Sequence, residues 1–482
     1  MGMLLFVSMG MFATPRSASE AEALAAEFLQ RHPALSSPSG ASRVASADAL
    51  TLAHTHLQSD ATTPAVYVFS RANEGFVLVS ADDKSRSILG YADEGVFRTD
   101  DLPANVRFWL DMYAHEIERA SKSVASGAVS SRSEYATTYT AVSPLCSATW
   151  DQGAPYNNLC PTKSGERCVT GCVATAAAQV MYVNKWPTKG TSSHSYTWNG
   201  QTLSADFSKT TYQWSNMLDD YSGSSTATQQ SAVATLMYHC GVACEMNYGT
   251  NSEGGSGAIT SLMAQALNTY FGYDAGIITL PKDYMDADVM LDKMAADLQA
   301  GHTILMSGRT VNDEGHAFVC DGIQSNGYLH INWGWGGYCD GYFALSALAP
   351  EDQGIGGASS GLAFTEYVSA YTNIKPDEGG KPTLTVTADN ITWTSNAQLA
   401  KTEPIYFQID RFSNAGTYTM DGYYGFAVYK DGKVVASPVS NYVGGALPAG
   451  YYFNESLSTS VIVGDLPDGA YELSVGNRRD CR

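Results

Sequence analysis

No stretch of this 482-residue chain is long and apolar enough to cross a bilayer as a helix; the most apolar run, Met3 to Phe12, falls well short of the ~20 residues that a span needs. Basic residues are scarce as well. Lys and Arg number 28 against 48 Asp and Glu, a formal net charge of -20, and a surface of that sign repels phosphate backbones and anionic lipid. Nucleic acid is therefore not an expected partner. The chain also lacks any Cys-x-x-Cys pair and any His-rich cluster. Cys168 and Cys172, Cys240 and Cys244, and His316 and Cys320 each stand four residues apart, but with no further ligands beside them zinc is a poor reading. No metal and no cofactor is implied. The nine cysteines are an odd number, so at least one thiol stays free if the others pair within the chain.

What is present is a globular composition, 44% hydrophobic and 11% aromatic, on a chain too long for one core. The apolar start followed by small and polar residues reads as a secretory leader over 1–18. Ser17 with Glu20 forms a capping-box pattern, and Ala21, Leu24, Ala25, Phe28 and Leu29 then keep helical spacing. Ala65 to Ser70 and Gly75 to Ser80 read as a hairpin. Val106, Trp109, Leu110, Tyr113 and Ile117 line one face of a second helix. Residues 19–120 are thus expected to form a small α+β unit, and the Ser-, Ala-, Thr- and Gly-rich residues 121–140 an exposed linker open to proteases.

Every motif with chemical content falls within 141–374. Beyond Lys375-Pro376-Asp377-Glu378-Gly379-Gly380-Lys381-Pro382 the chain turns to short β-rich runs, Thr383 to Thr387, Ile405 to Ile409 and Gly425 to Tyr429 among them. A β-sandwich is expected over 375–482, breaking off where a closing strand would continue.

Within the central region, Gly171 precedes Cys172, and Val173-Ala174-Thr175-Ala176-Ala177-Ala178 follows with high helix propensity. A cysteine at a helix N-terminus meets unpaired N–H groups and the positive end of the macrodipole, both of which favour the nucleophilic thiolate. A structural thiol opening a core helix has the same spacing. His316 follows Gly315 and begins an apolar, strand-like run ending at Asp321-Gly322, a place from which an imidazole can reach into a cleft as general acid and base. A hydrogen-bonded surface histidine would look alike. Asn332-Trp333-Gly334-Trp335-Gly336-Gly337 follows another strand-like run; Asn332 can accept an imidazole N–H and an indole can shield that bond, although a packed Trp/Gly turn fits too. Gln152 lies shortly before the cysteine, and its amide can join the Cys172 backbone N–H in an oxyanion hole.

In the order Gln, Cys, His, Asn/Trp, these four segments resemble the papain-like cysteine peptidases, most closely the streptopain family of bacterial secreted peptidases. Tyr248-Gly249 and Gly254-Gly255-Ser256-Gly257 are similar to that family as well, and so are Gly75 to Ser80 and Ser87 to Tyr91 near the N-terminus. The resemblance implies an α+β, papain-like two-subdomain catalytic domain over 141–374, preceded by a pro-domain over 19–120. It implies a secreted endopeptidase made as a zymogen, with Cys172 as nucleophile, His316 as acid/base, Gln152 as oxyanion donor, and Asn332 and Trp333 beside the histidine. Gly315, Ser256, Gly171 and Trp335 would line the substrate cleft. Protein and peptide substrates, inhibition by the chain's own pro-domain, and self-cleavage near residues 135 to 145 follow from the same likeness. The β-sandwich and the extra cysteines depart from it: the first suits surface retention, and Cys168 is spaced for a disulfide onto Cys172, although an unrelated buried thiol is the better reading. An amidase or transglutaminase-like acyl transferase, or a binding protein that kept the fold, remain the rival classes.

Overall fold

The alanine-rich run after Gly171 is buried on all sides as a helix, and the elements around it explain how it is held. The structure, a computed structural model, describes residues 15–31, 50–71, 75–99, 102–122, 139–285, 287–310, 315–347, 366–383, 385–393, 405–420, 423–430, 433–442, 447–453, 457–461 and 472–478. Most of the expected leader and linker thus lies outside the described residues.

The chain begins with α1 (Ala18–Arg31), whose N-terminus is closed as expected: Ser17 N–H donates to Glu20 Oε2 at 2.7 Å and Glu20 N–H to Ser17 Oγ at 3.3 Å. Its buried face, Ala21, Ala25 and Phe28, packs on Tyr67, Phe69, Val77 and Val79. Four strands follow, β1 (Thr51–Leu57), β2 (Pro64–Ser70), β3 (Phe76–Ser80) and β4 (Ile88–Ala92), then α2 (Ala104–Lys122). The expected hairpin is β2 with β3, Val68 facing Leu78.

The central region opens with a short hairpin, β5 (Thr162–Lys163) and β6 (Glu166–Arg167), and continues into α3 (Cys172–Asn184). A second hairpin, β7 (Ser193–Trp198) and β8 (Gln201–Asp206), precedes α4 (Ala227–Ala243) and α5 (Thr260–Phe271). Buried side chains of α3, α4 and α5 share one apolar core, which also takes in Trp150 and Phe207. After β9 (Ile278–Pro281) and α6 (Ala287–Gln299) come β10 (Ile304–Thr310), β11 (Gly315–Ile323), β12 (Leu329–Asn332), β13 (Gly341–Phe343) and β14 (Glu366–Thr372).

These strands make one ten-stranded sheet with the order β1-β2-β3-β4-β13-β12-β11-β10-β14-β9. The join at β4 and β13, where Tyr91 faces Tyr342 and Gly90 faces Phe343, fuses the N-terminal strands to the central ones. Glycine is needed on both sides of it: a Cβ on Gly90 would stand 2.7 Å from the Phe343 ring, and one on Gly341 would stand 2.6 Å from the Tyr91 carbonyl oxygen. A second core lies between this sheet and the helices α2 and α6, with Trp109, Phe318, Trp333 and Phe343 at its centre.

The last region is all β. Strands β15 (Val386–Trp393), β16 (Ile405–Asn414), β19 (Tyr452–Phe453) and β20 (Leu457–Val461) form one sheet. Strands β17 (Tyr423–Lys430), β18 (Lys433–Tyr442) and β21 (Glu472–Arg478) form the other. The expected strand over Thr383 to Thr387 starts later than the pattern suggests. Thr383 and Thr385 instead donate their hydroxyls to the Ile277 and Thr279 carbonyls, and the strand begins at Val386.

Candidate active site

Cys172 is the first residue of α3, and Gly171 before it takes φ 85°, a left-handed conformation that a side chain would strain. A Cβ there would also press within 2.8 Å of the Met246 thioether. The turn is fixed from behind: Thr175 donates its hydroxyl to the Gly171 carbonyl at 3.1 Å, and the Thr170 and Thr175 hydroxyls lie 2.8 Å apart. The half-buried sulfur faces three backbone N–H groups, those of Ala317, Val173 and Cys172 itself. Ala317 immediately follows His316, so the nucleophile helix and the histidine strand meet at this sulfur.

His316 is the second residue of β11 and pairs in register with Gly308 of β10. Gly308 keeps the space beside it open, and Phe108 of α2 occupies that space: a Cβ on Gly308 would stand 2.1 Å from the Phe108 ring. Phe108 and His316 lie with ring centroids 5.7 Å apart. Burial, and after it the Arg107 guanidinium, lowers the imidazole from an ordinary 6.5 to about 4, with Asp111 pulling the other way. Burial likewise raises the Cys172 thiol, outweighing the three N–H groups that favour its anion. The sequence argument expected a thiolate at the helix start. Burial thus outweighs what the helix terminus supplies and favours the uncharged form of both groups.

Gln152 is buried and is tied to the nucleophile segment by its carbonyl, which accepts the Thr170 N–H at 3.1 Å. Among the described residues no partner engages its side-chain amide. Asn332 is differently placed from the expectation. Its Oδ1 accepts from Gln179 Nε2 at 2.8 Å and from the Gly334 N–H at 3.0 Å, and its Nδ2 donates to the Ala148 carbonyl at 2.8 Å. In this arrangement it joins α3 to β12 and makes no bond to the imidazole. Trp333 is buried against Trp109, Phe318 and Phe343 and donates its indole N–H to the Cys339 carbonyl at 2.9 Å.

Gly315 and His316 line a cleft of about 810 Å³ with Cys172, Asn247, Gly257, Ile259 and Arg309. Ser256 itself acts as a brace: its hydroxyl donates to the Val169 and Gly249 carbonyls at 2.7 and 3.1 Å and accepts the Gly249 N–H at 2.9 Å. Trp335 packs at the margin of the second core, with no partner for its buried indole N–H among the described residues. The eight described cysteines are all free. Cys168 is buried, which raises its thiol, whereas Cys244 lines the cleft with Cys172.

Sequence reasoning missed Phe108, although it was an apolar residue off the helix stripe read in α2, and such a residue needs a second partner. It also missed Glu116. That carboxylate is buried, pairs with Lys282, and accepts from Ser346 Oγ at 2.9 Å and from the Ala347 N–H at 2.6 Å.

Comparison with known proteins fits both halves of this geometry. The Peptidase C10 family model matches residues 150–343, and the Spi protease inhibitor model matches residues 13–117. Streptopain of Streptococcus pyogenes is 33% identical over 389 residues, which cover 75% of this chain and 92% of that protein. The thiol protease/hemagglutinin PrtT of Porphyromonas gingivalis is 29% identical over 80% of this chain and 45% of its own length. Among solved structures, a fragment of Prevotella intermedia prointerpain A superposes with a TM-score of 0.56 at 35% identity, covering 69% of this chain and all of that one. The central fold is accordingly the papain-like α+β arrangement, and no helix among the described residues is long and apolar enough to cross a membrane. The chain belongs to the peptidase C10 family and is a cysteine-type peptidase carrying a zymogen-like prodomain.

Proposed function

We propose that the protein is a secreted endopeptidase that cuts itself free of its prodomain and then hydrolyses peptide bonds through Cys172 and His316. The support for this reading is that the Cys172 sulfur faces the backbone N–H of Ala317, the residue after the histidine, that both side chains line one cleft, and that Phe108 of the N-terminal segment packs on the imidazole. Once α2 leaves, water returns to the imidazole, its affinity for a proton recovers, and it can take the thiol proton. The thiolate attacks the substrate carbonyl, and the Gln152 amide with the Cys172 N–H holds the oxyanion. His316 returns its proton to the departing amine, leaving a thioester that water cleaves with the imidazole as base.

Asn332 acts as a positioning residue through Gln179, locking the nucleophile helix to the sheet that carries His316. Trp333 backs the same sheet from its buried side. The prodomain spans 19–120, the cut falls within 135–145, the catalytic domain runs over 141–374, and the β-sandwich over 375–482 provides surface retention outside the cell.

The test is covalent labelling with an epoxide or fluoromethyl ketone. Processed wild type is expected to bind one equivalent at Cys172, and Cys172→Ala to bind none and to persist as an uncut precursor. Equal shortening of both chains would assign the cut to another protease.

A further inference from the structure

The cleft that holds Cys172 and His316 extends beyond the segment matched by the peptidase family. Its lining continues onto the C-terminal sheets through Thr387, Asn414, Ala415, Gly450 and Tyr451. That wall is braced internally. Asn414 is fully buried; its Nδ2 donates to the Tyr418 and Leu447 carbonyls at 2.7 and 2.9 Å, its carbonyl accepts the Gly450 N–H at 2.8 Å, and its own N–H donates to the Tyr451 carbonyl at 2.9 Å.

The wall is also pressed onto the peptidase. Gly450 sits so close to the start of α5 that a Cβ would stand 2.4 Å from Ser261 Oγ and 2.7 Å from Ile259 Cγ2. The connection between the regions is pinned as well, since the Asp274 carboxylate accepts the N–H groups of Gly276, Glu378 and Gly380 at 2.6, 3.0 and 3.0 Å. Two large apolar side chains flank this contact and stay in water at the cleft rim, Ile259 at 39% and Tyr451 at 47% exposure. An exposed aromatic on a braced turn, with an exposed aliphatic lining the same cleft, is built to take an apolar side chain.

We propose that Tyr451 and Ile259 form a substrate subsite shared between the C-terminal region and the peptidase, binding an apolar side chain of an extended polypeptide some residues from the cut bond. The C-terminal region is then a specificity element that stays on the active enzyme. This rests on the cleft being the peptidase site proposed above. A tyrosine on a braced loop costs little side-chain entropy on contact, so it favours long substrates over short ones without touching the reacting atoms.

The experiment compares processed full chains of wild type, Tyr451→Ala and Tyr451→Phe on a dipeptidyl amide and on an internally quenched peptide long enough to span the cleft. Active sites are counted by inhibitor labelling at Cys172. Tyr451→Ala is expected to lose about tenfold or more in kcat/KM on long peptides with an apolar residue at the responding position, to keep its rate on the dipeptidyl amide, and to be rescued by Tyr451→Phe. Unchanged cleavage of the long peptide per labelled site overturns the subsite, as does an equal loss on both substrates. Absence of labelling and of any cleavage by wild type overturns the peptidase reading itself, a distinct result.

Discussion

The ring of Phe108 lies 5.7 Å from that of His316, in a gap that Gly308 leaves open by having no side chain. A prodomain residue thereby fills the space next to the imidazole. Shortening Phe108 to alanine removes a buried aromatic contact of about 3–5 kcal/mol. Prodomain Phe108→Ala, added in trans as residues 19–138, is expected to inhibit the processed enzyme at least a hundredfold more weakly than wild type. Equal inhibition constants would remove Phe108 from the lock.

The same contact makes inhibition pH-dependent. Covered by α2, His316 holds a proton only below about 4, whereas an uncovered imidazole does so below its ordinary 6.5. Between these values, docking of the prodomain expels a proton. Its affinity from this group is therefore complete above 6.5 and falls as the medium acidifies toward 4, by up to about tenfold per pH unit. Calorimetric titration of Cys172→Ala mature protein at several pH values measures the slope, which should flatten in a Cys172→Ala/His316→Ala double variant. A slope of opposite sign would mean that the covered histidine is charged.

Glu116 anchors the prodomain at a second place. Removing its carboxylate leaves the Lys282 ammonium buried without its ion-pair partner, a loss of about 3–5 kcal/mol. Glu116→Ala in the Cys172→Ala precursor is expected to lower the melting temperature. In the active chain it should hasten conversion to the processed form, and Glu116→Gln, which keeps an acceptor for Ser346 and the Ala347 N–H, should do so less. Conversion at the wild-type rate counts against the anchor.

Gln152→Ala separates chemistry from binding. Loss of one oxyanion donor costs about 10²–10³ in kcat. Labelling by an epoxide, which passes through no tetrahedral oxyanion, should still reach one equivalent. A variant that turns over like wild type would leave the oxyanion to backbone N–H groups alone.

Much of this was written locally in the chain. The Ser17/Glu20 cap, the Val68/Leu78 hairpin and the helix carrying Trp109 and Tyr113 follow from spacing, because each is set by neighbours within a few residues. The strand Thr51–Leu57 was missed, its two histidines and modest burial giving little alternation to read. Pairing of β4 with β13 was out of reach, since periodicity says that a strand wants a partner without saying which. Cys172 and His316 were legible from motif and resemblance, but their neutral state was not. It depends on how deeply each is buried, which only the packed structure supplies.

That shared sheet has one more consequence. Under the proposed removal of the prodomain, β4 would depart and leave Gly341–Phe343 as a bare margin, and Tyr342 would lose the ring of Tyr91 that stacks on it at 5.4 Å. Activation by this route would alter how the molecule meets its surroundings as well as what it can cleave. The new margin would be only three residues long, too brief to recruit a stranger's strand, so the freed enzyme would be spared the clumping that a longer open border would invite.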